Sequence, residues 1–410
     1  MAPVQTLVNA PAPLQGHCAP AFAPLAQQFA QSFKRGEETG AALCVYHRGE
    51  KVVDLWGGWA DVDQQTPWHA DTLIVVFSVT KGLAAMALNL AAERGAIAWD
   101  APVARYWPGF ARNGKDAITV RQLFNHRAGL ATIATPLTLA QCCDPAQRDA
   151  VREALEAQAP AWPAGADQGY HGLSFGLYAS EFFRQAVGEP LEDFLQREYL
   201  HPLGADVHLG TPASEDGRIA TLYPGSDVAR VGRMVWAALR GGSTESKVAR
   251  SFLSGKDAKG AFSNPPAPQG FGAYNEVPVR RAALAWASAT ASARGLARAY
   301  VPWSVGGTWQ GRQWVKPETI APLLPRQGWA APDRVLGKPL GWSQGFLKEE
   351  GTVFSPNPES FGHSGIGGTL GWCDPKAQLA IGYVMNRSDW RVRSPRALAL
   401  CKALYQCPLG

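Results

Sequence analysis

Strand-like apolar runs gather near both ends of this chain, and helical spacing fills the stretch between them. Residues 20–35 put Phe22, Leu25, Phe29 and Phe33 on one side of a predicted amphipathic helix. Two short β-rich runs follow, 41–46 and 51–58, joined by a four-residue turn that predicts a hairpin. A polar, turn-like stretch leads to the apolar run 73–77. That run stops at Ser78, and an Ala/Leu-rich helical pattern then extends over 83–92 and closes at Arg94-Gly95. Beyond it the spacing predicts helices over 102–106, 119–126, 145–158, 173–187, 191–200 and 230–240. Pro and Gly break the pattern between them. Residues 241–281 are rich in Gly, Ser and Pro and are expected to wander over the surface. Together with the loop 131–145 they are expected to wall a cleft. A helix over 291–301 precedes predicted strands at 341–347, 351–354, 368–373 and 379–386, and a last helix covers 394–405.

Strands at both ends with helices between them point to an α+β fold. One antiparallel sheet is flanked by helices, and a mostly helical lobe is inserted in the middle. The expected division is a discontinuous sheet domain over 20–95 and 286–410, a helical domain over 96–285, and an extended N-terminal arm over 1–19.

Composition narrows the functional classes. With 410 residues and 46% hydrophobic content, the chain buries a sizeable core. The net charge of +5 rests on only 18% charged residues, with no run of five cations. That disfavours a nucleic-acid or membrane-surface role. No segment approaches 18 uninterrupted apolar residues, and the first twenty residues lack the pattern of a secretory signal. Seven cysteines without a CxxC read as reduced thiols, so a cytoplasmic protein is expected. There is no H-E-x-x-H, no Cys/His cluster at ligand spacing, no Walker A motif and no dinucleotide fingerprint. Neither metal nor cofactor is expected.

The candidate chemistry begins at Ser78-Val79-Thr80-Lys81, the only S-x-x-K in the chain. Residues three apart share a helix face, which puts an amine within reach of a hydroxyl. The unpartnered N–H groups of a helix start suit a developing oxyanion, and the helix dipole disfavours a protonated Lys81. The plainer reading of Ser78 is a helix N-cap. Tyr170, in Gly169-Tyr170-His171-Gly172, follows a Pro/Gly loop, where its hydroxyl either enters a cleft or is satisfied in the core. Phe361-Gly362-His363-Ser364-Gly365-Ile366-Gly367-Gly368 is small enough to let a backbone edge approach a ligand, with a free N–H near Ile366; it reads equally as a Gly-rich turn. Gly172-Leu173-Ser174-Phe175-Gly176 matches the G-x-S-x-G elbow, but no strand-like run precedes it, so the match reads as coincidence.

In order and approximate spacing, Ser78-Val79-Thr80-Lys81, Tyr170-His171-Gly172 and His363-Ser364-Gly365 resemble the three motifs of the penicillin-recognising serine hydrolases. Flanking text such as Trp56-Gly57-Gly58 and Tyr106-Trp107-Pro108 is similar to the class C β-lactamase branch and, within it, to the family VIII carboxylesterases. The resemblance implies Ser78 as nucleophile, Lys81 and Tyr170 as general base and acid, and the N–H groups of Ser78 and Ile366 as oxyanion hole. It also implies substrate contacts from His363, Ser364, Gly365 and Trp372. Two departures stand out. Gly172 replaces the amide of Y-x-N, and His363 replaces a lysine; both tilt from β-lactams toward small to medium esters. The competing expectations are a β-lactamase, D-amino-acid peptidase or amidase with the same residues, and a non-catalytic ligand-binding module. The partner is a small-molecule ester in the leading case, with neither nucleic acid nor membrane.

Overall fold

The computed structural model describes residues 14–225, 227–348 and 352–409. Nine strands form the main path of an antiparallel sheet. They are β1 (Gln15–Cys18), β2 (Gly40–His47), β3 (Glu50–Asp61), β4 (Gly328–Ala330), β5 (Leu340–Ser343), β6 (Phe346–Lys348), β7 (Phe361–Ser364), β8 (Leu370–Asp374) and β9 (Leu379–Met385). Their order across the sheet is β1-β3-β2-β9-β8-β7-β6-β5-β4, and Thr66–Pro67 pairs with the far end of β3. The β2–β9 pairing, Leu379 opposite His47 through Met385 opposite Ala41, joins the two ends of the chain. This is the mixed helix and antiparallel-sheet architecture that the distribution of runs predicts.

Both sheet faces are covered. Helix α1 (Ala23–Lys34) and the C-terminal helix α8 (Pro395–Leu404) pack on one. On the other lie α2 (Val79–Glu93) and α7 (Ala293–Ser304). Glycines let α7 approach closely: a Cβ on Gly382 would stand 2.3 Å from the Ala293 carbonyl oxygen, and one on Gly371 2.7 Å from the Tyr300 ring. Helix α2 is buried on every side from Val79 to Ala91, as expected of a helix apolar all round. The segment between supplies α3 (Ser174–Val187), α4 (Asp227–Arg240), α5 (Thr244–Ser254) and α6 (Lys256–Ser263), with shorter turns of helix between them.

Four expectations change. Residues 241–281 do not wander: they form α5, α6 and a short helix at Val277–Arg281, because Ser243 caps α5 by accepting from the Ser246 N–H and apolar Val248, Ala249, Ala258 and Ala261 go inward. The strand expected over 341–347 is a hairpin, turned at Gln344-Gly345 with φ of 45° and 86°. Of the strand expected over 351–354, residues 352–354 form a bend and 351 lies outside the described residues. The expected N-terminal arm is a paired edge strand over Gln15–Cys18; residues 1–13 lie outside the described residues.

Candidate active site

Ser78 sits where the chain turns from a short strand (Ile74–Val75) into α2. The turn is sharp: Phe77 has φ of +48°, a conformation that L side chains adopt at a cost. It is held by the Phe77 ring, packed edge-on against Tyr274 and Phe271, and by the Thr369 hydroxyl, which donates to the Val76 carbonyl at 2.9 Å. Ser78 itself is helical, and its hydroxyl makes no capping bond to α2. Its neighbours are side chains instead. Lys81 Nζ lies 3.0 Å from Ser78 Oγ, and the Tyr170 hydroxyl donates to that oxygen at 3.1 Å.

Lys81 is buried, and its second contact is the Trp286 carbonyl at 2.9 Å. No carboxylate pairs with it among the described residues. Loss of hydration without a compensating anion drives its pKa well below the ordinary lysine value, which favours the neutral amine. The same nitrogen lies 5.2 Å from the centre of the Tyr170 ring.

Tyr170 is fixed from three directions. Its ring stacks on Trp342, with centroids 5.6 Å apart and planes 10° apart. The His126 ring lies against both. Its backbone N–H donates to Asp333 Oδ1 at 3.1 Å, and the same oxygen accepts from the N–H groups of Val335 and Leu336 at 3.0 Å each. Burial raises the Asp333 pKa to about 6. No motif in the sequence marks Asp333, and His126 stands out only as the start of the stretch 126–130 that resembles the family; each acts through the fold, on a residue more than 40 positions away. His126 Nδ1 accepts the His171 N–H at 2.9 Å, so the residue after Tyr170 is held as well.

The third motif lies on β7. His363 Nδ1 meets the Ser364 carbonyl at 2.8 Å, and a carbonyl only accepts, so Nδ1 carries the proton and Nε2 the lone pair. Burial holds the imidazole pKa well below its usual value, which favours the neutral ring. Nε2 is buried and has no partner among the described residues. His363 and Ser364 both line the cleft at Ser78. Gly365 acts beneath them: a Cβ there would fall 2.0 Å from Thr369 Oγ1 and 2.4 Å from the Val76 carbonyl oxygen, so only glycine lets this edge close on the Ser78 turn. The loop carrying Ile366 is tied down by Arg396, which donates to the Gly367 carbonyl at 3.2 Å and pairs with buried Glu38.

Trp372 is displaced from the expected site. Residues alternate faces along β8, so while Gly371 faces α7, Trp372 points to the opposite side and packs on Phe354 at 5.1 Å. It does not reach the cleft. Ser174 of the G-x-S-x-G match is buried at the start of α3, and its hydroxyl is spent on the Leu130 and Ala131 carbonyls.

The cleft in front of Ser78 measures about 380 Å³ and is walled mostly by apolar side chains from α4, α5, the segment after α6, and β5. At Gly172 the space that an asparagine side chain would fill is occupied. A Cβ there would stand 2.7 Å from the Ala261 carbonyl oxygen and 2.8 Å from the Phe262 ring.

This geometry agrees with the relationships of the chain. The family model described as Beta-lactamase matches residues 25–403. The chain belongs to the β-lactamase family. Among curated proteins, it is 34% identical over 375 residues to the Esterase/beta-lactamase LipL of Mycobacterium tuberculosis, covering 91% of this chain and 82% of that one. Among solved structures, a family VIII carboxylesterase superposes with a TM-score of 0.84 at 34% identity, over 96% of this chain and all of the other. A penicillin-binding protein homologue from Caulobacter crescentus gives 0.82 at 32% identity, again over 96% of this chain and all of the other. Membership in the β-lactamase family, with esterase relatives on both counts, makes this a hydrolase of the serine β-lactamase type.

Proposed function

We propose that the protein is a carboxylesterase that cleaves small to medium acyl esters through an acyl-enzyme on Ser78. The observation that carries the reading is the convergence of a neutral-favouring Lys81 and the Tyr170 hydroxyl on Ser78 Oγ, at 3.0 and 3.1 Å, facing an apolar cleft. Lys81 and Tyr170 together take the serine proton as Oγ attacks the acyl carbon, and they return a proton to the departing alkoxide. Water then attacks the acyl-enzyme by the reverse relay and releases the acid. The N–H groups of Ser78, at the start of the 15-residue helix α2, and of Ile366 hold the oxyanion.

The ester preference rests on two local features. Phe262 fills the place of the amide that would recognise an acylamido group, and the neutral His363 supplies no fixed cation for a β-lactam carboxylate. The second reading is a β-lactamase, D-amino-acid peptidase or amidase using the same residues; the β-lactamase part is supported by the relative LipL, whose name pairs esterase with β-lactamase. A panel of p-nitrophenyl butyrate, nitrocefin and a D-alanyl anilide, run on the wild type and Ser78→Ala, separates them. Ester turnover that dominates and vanishes in Ser78→Ala is the expected result. Wild-type rates in Ser78→Ala, or ester rates far below the other two, would overturn the proposal. No turnover together with no labelling of Ser78 by a fluorophosphonate would favour a binding module.

A further inference from the structure

Helix α4 roofs the cleft with Arg230 and Met234, yet its outer side is apolar. Val231, Val235, Trp236 and Leu239 are 55%, 41%, 55% and 79% exposed. At about 100° per residue they sweep an arc of about 140°. Five of the eight large hydrophobic side chains exposed among the described residues lie on α4 and its partner α5, the fifth being Leu253. Cations border the arc. Arg233 and Arg240 follow its far edge, and the Arg240 guanidinium lies 3.6 Å from the centre of the Trp236 ring. From 230 to 250 the sequence has five cations, Arg230, Arg233, Arg240, Lys247 and Arg250, against one anion, Glu245. The sequence shows no basic run because the cations are spaced; at about 100° per residue Arg233 and Arg240 fall within about 20° of each other beside the arc, whereas Arg230 turns to the cleft.

We propose that the outer face of α4 docks on a negatively charged lipid–water interface, beside the mouth through which an acyl chain would enter the cleft. An exposed apolar stripe with arginines along its border is the pattern of a helix that lies in the plane of such an interface, with its apolar side among acyl chains and its guanidiniums at the headgroups. A second copy of the chain is the poorer occupant. A stable interface needs about 800 Å² from each partner, whereas this stripe is one side of one helix. The docking does not depend on the esterase reading, because binding is measured without turnover.

The test is cosedimentation of the full chain with vesicles of phosphatidylcholine alone and with equimolar phosphatidylglycerol. Binding is expected to the anionic vesicles, weakening with salt. Trp236→Glu with Leu239→Glu should lower it by about tenfold or more, and Arg233→Ala by about fivefold on anionic vesicles only. Ser78→Ala should bind as the wild type does, which separates this result from failure of the catalytic reading. Thermal unfolding shows whether each variant is folded. The proposal is overturned if the wild type stays in the supernatant, or if folded Trp236→Glu/Leu239→Glu binds as well as the wild type. It is also overturned if the stripe instead mediates a dimer that Leu239→Glu dissociates without any vesicle binding.

Discussion

Asp333 offers a quantitative test of how Tyr170 is held. Its Oδ1 gathers three backbone N–H groups, those of Tyr170, Val335 and Leu336, and Gln168 Nε2 approaches Oδ2 at 3.4 Å. The residue is fully buried. Asp333→Ala strands three donors away from water, at about 1–3 kcal/mol each. Removing the charge returns part of this. A carboxyl raised from 3.8 to about 6 is destabilised as the anion by about 3 kcal/mol. The net loss for Asp333→Ala centres on about 3 kcal/mol. Asp333→Asn keeps the Oδ1 acceptor and loses the charge, so it should be at least as stable as the wild type at neutral pH. The sign with pH follows from the raised value: the contribution of Asp333 is fully present below the unfolded value near 4 and is lost as pH rises through about 6. The stability gap between Asp333→Asn and the wild type should therefore widen over that window. Urea unfolding at a series of pH values reads the stabilities, and kcat on a soluble ester reads the position of Tyr170. We expect kcat to fall by about tenfold or more in Asp333→Ala and to change little in Asp333→Asn. An Asp333→Ala protein as stable and as active as the wild type would refute the reasoning.

Other outcomes follow from the same geometry. Tyr170→Phe should lose most of kcat, by about a hundredfold or more, with little change in stability, because the ring keeps its stack on Trp342; stopped assays and thermal melts check this. Ester turnover should rise with pH through one ionisation well below that of a free lysine, since Lys81 acts once its proton is gone, and Lys81→Met should abolish the dependence together with the activity. Gly172→Asn should cost about 1–3 kcal/mol through the clash with Ala261 and Phe262. It should bring no nitrocefin turnover until Phe262→Ala opens the space.

How much of the site was legible differs from residue to residue. Ser78 and Lys81 stood out as an i, i+3 pair on one helix, whereas Tyr170, open between cleft and core on its own, was singled out by the order of the three motifs that the family resemblance rests on. The structure brings all three within hydrogen-bond reach. Trp372 was misplaced because a strand has two faces and the resemblance does not say which one a given residue takes. Residues 241–281 were read as loop because their many Gly and Pro obscure helices whose apolar faces need a neighbour to bury against.

By itself, the order of apolar runs determined that the two ends of the chain build one antiparallel sheet, and that an Ala/Leu-rich helix begins at or near Ser78. These are local statements, governed by periodicity and by the chemistry of a helix start. Only the tertiary structure decided that Asp333 holds the backbone of Tyr170 and that Phe262 fills the space beside Gly172. Those contacts join residues tens to hundreds of positions apart. They depend on packing, where burial removes water and leaves each polar group to the partners that the fold supplies.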